Sequence, residues 1–326
     1  MPQITLVEAI NQALAYEMNA DKNVVLLGED IGKNGGVFRA TQGLYDRFGP
    51  HRVCDTPLAE SMIGGLAVGM AIMGLKPVAE FQFMGFSYPA VDQIINHASR
   101  IRNRTRGKMS CPVVFRTPYG CGIHAPEHHS ESTEALFAHI PGLRVVIPSS
   151  PIRAYGLLLA SIRNPDPVIF LEPARLYRYV KQEVPDDGKE LPLDTCFTLR
   201  QGNDVSLIAW GAMIKETMAA SNQLAQEGIE AEVIDVATVK PLDMDTILAS
   251  VEKTGRCVII HEAAKTGGIG ADISAQIAEQ ALFSLKAPPV RVCGFDTIVP
   301  YARLEKYYLP SEQRIVDAVH HIMEGS

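Results

Sequence analysis

Two stretches of the chain carry side chains able to move a proton. The first is Asp55-Thr56-Pro57-Leu58-Ala59-Glu60, which runs into the apolar segment Ser61-Met62-Ile63-Gly64-Gly65-Leu66-Ala67-Val68-Gly69-Met70-Ala71-Ile72-Met73-Gly74. Glu60 is the only acid in it. A carboxylate there either complements the positive end of a helix with its head in water, or sits among apolar groups with a partner or a shifted pKa. The second state is the one that marks functional sites. The second stretch is Tyr119-Gly120-Cys121-Gly122-Ile123-His124-Ala125-Pro126-Glu127-His128-His129-Ser130-Glu131-Ser132. Adjacent histidines in a Gly-rich loop after a strand point to a proton donor or acceptor near neutral pH. His124 and His128 also have the four-residue spacing of helical zinc pairs, which makes a zinc hydrolase an alternative class. Pro126 and the preceding glycines argue against a regular helix there. Glu29 and Asp30 form a third candidate, placed where a strand's carboxyl end would carry function, with a solvated loop as the plainer reading.

The elements that must position these groups follow from local pattern. Thr56 suits an N-cap and Pro57 a first helical position, which predicts a helix from there through Gly74. Its apolar composition and four glycines predict burial on most sides. Upstream, Thr5-Leu6-Val7-Glu8 is a capping box opening a helix with Leu6, Ile10, Ala13 and Leu14 on one stripe, and 24–27 reads as a buried strand. Downstream, strands are expected over 77–83, 112–116, 143–147 and 167–171, with helices over 88–101, 134–139 and 151–162. This alternation implies a parallel sheet covered on both faces. Periodicity lapses from Glu172 to about Gly202, and a second α/β pattern follows, with strands over 205–210, 231–236, 257–261 and 290–293. Helices are expected over 214–227, 244–251, from 267 to about 282, and near 312–323. The expected organisation is two α/β domains, 1–185 and 203–326, joined by a linker over 186–202.

At 326 residues the chain has room for two cores, and its 47% apolar and 21% charged content is that of a globular protein. A net charge of −7 argues against a nucleic-acid footprint or an anionic membrane surface. The basic run Arg100, Arg102, Arg104, Arg106 and Lys108 fits a solvated helix face or a subunit contact. Ile63 to Leu75 is too short to span a bilayer, and no export or organelle signal is visible, so a bacterial cytoplasm is expected. Six cysteines without framework spacing read as reduced thiols. No Gly-x-Ser-x-Gly elbow, Walker A loop or complete dinucleotide fingerprint occurs, and Gly267-Gly268-Ile269-Gly270 lacks the lysine and the spacing of a phosphate loop.

Several of these motifs, in order, resemble the β subunit of the E1 component of 2-oxoacid dehydrogenase complexes. The Asp55 to Ser61 segment and its Gly-rich helix carry the likeness, with Phe81-Gln82-Phe83, the His124 to Ser132 loop and Pro141-Gly142-Leu143-Arg144-Val145-Val146-Ile147-Pro148. Leu171-Glu172 and Lys240-Pro241-Leu242-Asp243 extend it nearly end to end. The resemblance implies a pyrimidine-type thiamine-diphosphate-binding domain followed by a transketolase C-terminal-like domain, in an α2β2 enzyme. It assigns Glu60 a hydrogen bond to N1′ of the cofactor's aminopyrimidine, where a shared proton favours the imino tautomer. Phe86 matches the aromatic position that stacks on the pyrimidine, and Leu58 and Gln82 match other pocket positions.

His129 matches the family's active-site histidine, which donates or orients a proton during acyl transfer to the lipoyl group of E2; His128 sits where relatives often have an apolar residue, and His124 is the weaker candidate. Glu29 and Asp92 match acids that, with Glu60, form a proton relay between paired sites, and the backbone segment holding Ser161, Asn164 and Asp166 matches one that binds structural potassium. Thiamine diphosphate's Mg²⁺ is held in this superfamily by a Gly-Asp-Gly motif ending in Asn. That motif is missing here, so the resemblance implies that an α subunit holds the diphosphate and Mg²⁺. The histidine loop looks closest to pyruvate-type sequences; branched-chain 2-oxoacid and acetoin enzymes are near alternatives, and a non-catalytic assembly module that docks E2 is the reading of another class.

Overall fold

The computed structural model describes residues 3–324, which fall into two compact units. The first comprises residues up to 119 together with 136–193; the second takes residues 120–135 and everything from 194 onward. The histidine loop therefore belongs with the second unit, although it interrupts the first in sequence.

In the first unit, six parallel strands lie in the spatial order Arg144–Val146, Val168–Pro173, Val114–Tyr119, Lys76–Glu80, Val24–Gly28, Val53–Asp55. Every residue of the Val24–Gly28, Val114–Tyr119 and Val168–Pro173 strands is buried, as expected where helices cover both faces of a parallel sheet. The capping box forms as expected. The Thr5 N–H donates to the Glu8 carboxylate at 2.7 Å, the Glu8 N–H donates to the Thr5 hydroxyl, and the Leu6–Ala20 helix buries Leu6, Ile10, Ala13 and Leu14. The Pro151–Arg163 helix starts behind Ser150 with proline in its first turn.

The apolar helix differs from expectation in two respects. It begins at Glu60 with Ala59 at its N-cap, because the Thr56 N–H donates to the Gly28 carbonyl at 2.9 Å and keeps that stretch extended along the strand. It is also buried along one flank only. Ile63, Gly64, Ala67, Val68 and Ala71 face the core, while Met62, Leu66 and Met73 are exposed by 41%, 40% and 83%. On the buried flank Gly64 permits close packing, since a Cβ there would lie 3.1 Å from Ala90 Cβ and 3.2 Å from Gln93 Cβ.

The segment expected as one helix over 88–101 is broken. It runs as a 3₁₀ helix over Met84–Ala90, a π turn over Gln93–His97, a 3₁₀ turn over Ala98–Arg100 and a short α-helix over Ile101–Arg104. Pro89 removes one ladder donor, and the Ser99 hydroxyl donates to the Ile95 carbonyl at 2.7 Å, which disturbs the regular ladder. The strand expected to reach Phe83 stops at Glu80.

The second unit is built on five strands in the order Val290–Gly294, Cys257–Ala264, Val205–Ala209, Ala231–Asp235, Phe197–Arg200. The first four are parallel and the last is antiparallel, an edge strand that closes the sheet inside the stretch read as linker. Val205, Leu207, Val233, Val258 and Ile260 meet Ile315, Val316, Val319 and Ile322 of the Glu312–Glu324 helix in one core. Asp243 caps the Met244–Thr254 helix by accepting from the Thr246 N–H at 3.1 Å. A short helix over Ala302–Tyr308 has no counterpart in the sequence reading. Among the described residues no helix is long and apolar enough to cross a membrane, and the six cysteines are free thiols.

Candidate functional site

Each unit holds one group of candidate residues. In the first, register brings acids together at the carboxyl ends of the strands, since Gly28 lies opposite both Asp55 and Glu80. Glu29 follows immediately. It is buried, accepts a hydrogen bond from the Ala59 N–H, and leaves Oε1 without a hydrogen-bond partner. Burial pushes its carboxyl above the usual range, and the negative charges of Glu60 and Asp30 add to the effect. The structure thus sets Glu29 against Glu60, two acids separated by 31 positions. Glu60 itself is half-buried, where the sequence suggested a carboxylate sunk in apolar surroundings. The exposed flank of its helix is the reason, and Leu58, an expected pocket residue, is 80% exposed beside it.

Gln82 and Phe86 are half-buried just beyond the Lys76–Glu80 strand, and Phe86 packs edge-on to Phe83 with ring centroids 5.5 Å apart. Asp92 stands exposed and accepts from Asn96 Nδ2 at 2.7 Å and Gln93 Nε2 at 3.0 Å. Of the two expected relay acids, Glu29 is the one whose carboxyl is raised by the Glu60 charge.

Behind these acids lies a buried charge cluster that sequence reading missed. Glu80 and Arg116 are register partners, and Glu172 lies opposite Pro118, two residues along the same face. Arg116 Nε and Nη2 donate to Glu172 at 2.6 and 2.8 Å, Arg116 Nη1 donates to Glu80, and the Tyr177 hydroxyl donates to Glu172. All four side chains are nearly or wholly inaccessible. Burial raises the Glu80 carboxyl, and Arg116 opposes that rise. One arginine between two carboxylates has the geometry and hydrogen bonds that a buried ion pair needs.

The expected potassium residues do not offer free side chains. The Ser161 hydroxyl donates to the Leu157 carbonyl at 2.7 Å, Asn164 Oδ1 accepts from the Asp166 N–H at 2.9 Å, and Asp166 pairs with Arg102 at 2.6 Å.

The second group surrounds the histidine loop. A 3₁₀ turn over Glu127–His129 follows Pro126, closed by the His129 N–H donating to the Pro126 carbonyl and the Ser130 N–H to the Glu127 carbonyl, both at 2.9 Å. The turn separates the three imidazoles. His128 is exposed, His129 is half-buried, and His124, at φ +57°, lies 3.6 Å from a Glu305 carboxylate oxygen with its side chain 65% exposed. No cluster of three or more potential metal-ligating side chains occurs among the described residues, so the zinc reading finds no ligand set.

Three buried acids support the loop. Glu262, at the end of the Cys257–Ala264 strand, accepts from the Cys121 N–H and the Ser132 hydroxyl, each at 2.9 Å. Glu134 accepts from the indole N–H of Trp210 at 3.2 Å, and burial pushes its carboxyl up to about 8. Glu305 is the third, facing His124. Trp210 in turn stacks on His261, which burial lowers to about 4 and whose Nε2 lies 3.1 Å from Cys293 Sγ. None of Glu134, Glu262 or Glu305 was singled out from sequence. Glu262 had the signal used for Glu29, an acid directly after a buried apolar strand.

Comparison with known proteins gives a consistent picture. Residues 2–180 match the family model of the transketolase pyrimidine binding domain, and residues 195–315 match that of the transketolase C-terminal domain. The pyruvate dehydrogenase E1 component subunit beta of Bacillus subtilis (strain 168) is 47% identical over 324 residues, covering 99% of this chain and 100% of that protein. The same subunit of Acholeplasma laidlawii is 51% identical over 315 residues, covering 97% and 96%. Among solved structures, a split gene transketolase described as an inactive beta4 tetramer superposes with a TM-score of 0.81 at 23% identity, covering 99% of each chain, which establishes likeness of fold.

Proposed function

The chain belongs to the family of pyruvate dehydrogenase E1 β subunits, and from that premise we propose that it forms the β half of a thiamine-diphosphate enzyme that decarboxylates pyruvate oxidatively and passes the acyl group to the lipoyl group of an E2 acyltransferase. The observation that carries the reading is the Glu29–Glu60 pair. A buried acid with an orphaned oxygen stands behind a half-buried acid at the head of an apolar helix.

These residues suit the pyrimidine end of the cofactor. A flat heterocycle with basic ring nitrogens calls for a proton-sharing carboxyl and an aromatic neighbour, the parts that Glu60 and Phe86 supply. The Gly-Asp-Gly motif that would take the other end is absent from the sequence. Mg²⁺ and the diphosphate are therefore assigned to an α subunit in an α2β2 assembly. When bound, thiamine diphosphate supplies the electron sink that loss of CO2 from a 2-oxoacid requires. This chain supplies placement and protons. Glu60 holds the aminopyrimidine through N1′ and shares a proton with it, while Glu29, fixed by the Ala59 N–H, serves as the reserve of the relay. Leu58 and Gln82 would line the pyrimidine pocket once the assembly covers Leu58. His129 gives or orients a proton during acyl transfer to the lipoyl group. Asp92, facing solvent in this chain, joins the relay only through the assembly, and any potassium ion along 161–166 takes main-chain carbonyls.

Reconstitution with an α subunit tests the reading. Pyruvate should be turned over with higher kcat/KM than branched-chain 2-oxoacids or acetoin, and Glu60→Gln should lower kcat by about 10²–10⁴-fold. A Glu60→Gln enzyme with undiminished complex activity would instead identify the chain as an assembly module.

A further inference from the structure

We propose that Glu262 is a positioning residue for the histidine loop, a single carboxylate that fastens both ends of residues 121–132 and so fixes where His129 stands. The inference rests on the role given to His129 above. Glu262 is buried at 3% exposure, and one of its oxygens, Oε1, accepts from the Cys121 N–H and from the Ser132 hydroxyl, each at 2.9 Å. These donors are 141 and 130 positions away from it in sequence and stand at the loop's two ends. Adjacent to them, the Gly120 N–H donates to the Glu131 carbonyl at 2.8 Å, so the two stems also bond to each other.

Glycine at 120 is required on two counts. Its φ is +85°, and a Cβ there would lie 2.1 Å from the same Glu262 oxygen. The chain at this point is shaped to let the carboxylate in. Two residues beyond Ser132, Glu134 takes the Trp210 indole N–H and fixes the outgoing stem to the same unit. Between the stems run Gly122, Pro126 and the short 3₁₀ turn that carries His129, with no long helix or strand to stiffen them. Removing a shared acceptor takes it from the buried Cys121 N–H and the half-buried Ser132 hydroxyl and leaves the loop closed by fewer bonds, so its histidine samples more positions.

The test uses the α2β2 holoenzyme carrying Glu262→Ala, Glu262→Gln or Ser132→Ala. Three quantities are read: pyruvate decarboxylation with a small one-electron dye as oxidant, acylation of the isolated lipoyl domain of E2, and hydrogen–deuterium exchange of amides 121–132. Glu262→Ala is expected to lower kcat for lipoyl acylation at least tenfold more than it lowers decarboxylation, and to speed exchange at Cys121 and across the loop at least tenfold. Glu262→Gln, which keeps an acceptor oxygen, should restore both to within a few fold. Ser132→Ala, which leaves one of the two bonds, should fall between, and decides the matter if Glu262→Ala fails to assemble. Unchanged loop exchange, or rates of acylation and decarboxylation that fall in parallel, would overturn the proposal. If His129→Ala leaves lipoyl acylation intact, the role given to His129 fails, while the exchange data still decide whether Glu262 fastens the loop.

Discussion

Glu134→Gln should remove a pH dependence from the stability of the second unit. The Glu134 carboxyl is 1% exposed, accepts from the Trp210 indole N–H, and is pushed by burial up to about 8 from 4.5. The unfolded chain ionises this group at its ordinary value, whereas the folded chain keeps the proton. The stabilisation is therefore complete below pH 4.5 and is lost as pH rises towards 8. At about 1.4 kcal/mol per pH unit, the interval totals at most about 5 kcal/mol, with the Glu262 charge adding to the effect of burial. Glutamine keeps an acceptor for the indole and has no proton to lose.

Trp210 is the only tryptophan in the chain, so its fluorescence in urea reports this unit directly. With a denaturant slope of about 2 kcal/mol/M, the wild-type midpoint should drop relative to Glu134→Gln by about 2 M between pH 5 and 8, with the variant the more stable at pH 8. Parallel midpoints across that range would refute the reasoning, for they would mean that Glu134 ionises in the folded protein at an ordinary pH.

Arg116→Leu should destabilise the first unit by about 3–5 kcal/mol, because it strands the Glu80 and Glu172 carboxylates in the core; the loss should be smaller at pH 5 than at pH 8, which calorimetry at the two values would read. Gly120→Ala should speed amide exchange across 121–132 and lower the melting temperature, and an unaltered exchange profile would show that the loop tolerates a side chain against Glu262. The chain purified without an α subunit should bind thiamine diphosphate weakly and show no decarboxylase activity; isothermal titration and a CO2-release assay check both, and full turnover from the lone chain would contradict the division of the cofactor site.

Much of the architecture was readable because it is local. The capping box of the first helix, the alternation of strand and helix, and the apolar run after Glu60 are all written within one or two turns of chain. What escaped was set by distance. Nothing near Arg116 in sequence announces two carboxylates 36 and 56 positions away, since the strand looks like any apolar segment ending in a charge. The edge strand Phe197–Arg200 draws its register from Ala231–Asp235, so its own residues read as linker. Thr56 and Pro57 have the chemistry of a helix start, yet a hydrogen bond to Gly28 holds the backbone extended until Glu60. Glu29 and Glu60 were each legible as acids in suggestive places. The resemblance already joined them in one relay, and the coordinates add that Glu29 is buried within reach of the Glu60 charge.

The uneven helix after Glu60 bears on how such a chain behaves in solution as well as on how it works. Its outer flank shows bare hydrocarbon at Leu58, Met62, Leu66 and Met73. A copy left with that stripe uncovered would tend to stick to others through it, so whatever face covers it governs how well the chain keeps in solution.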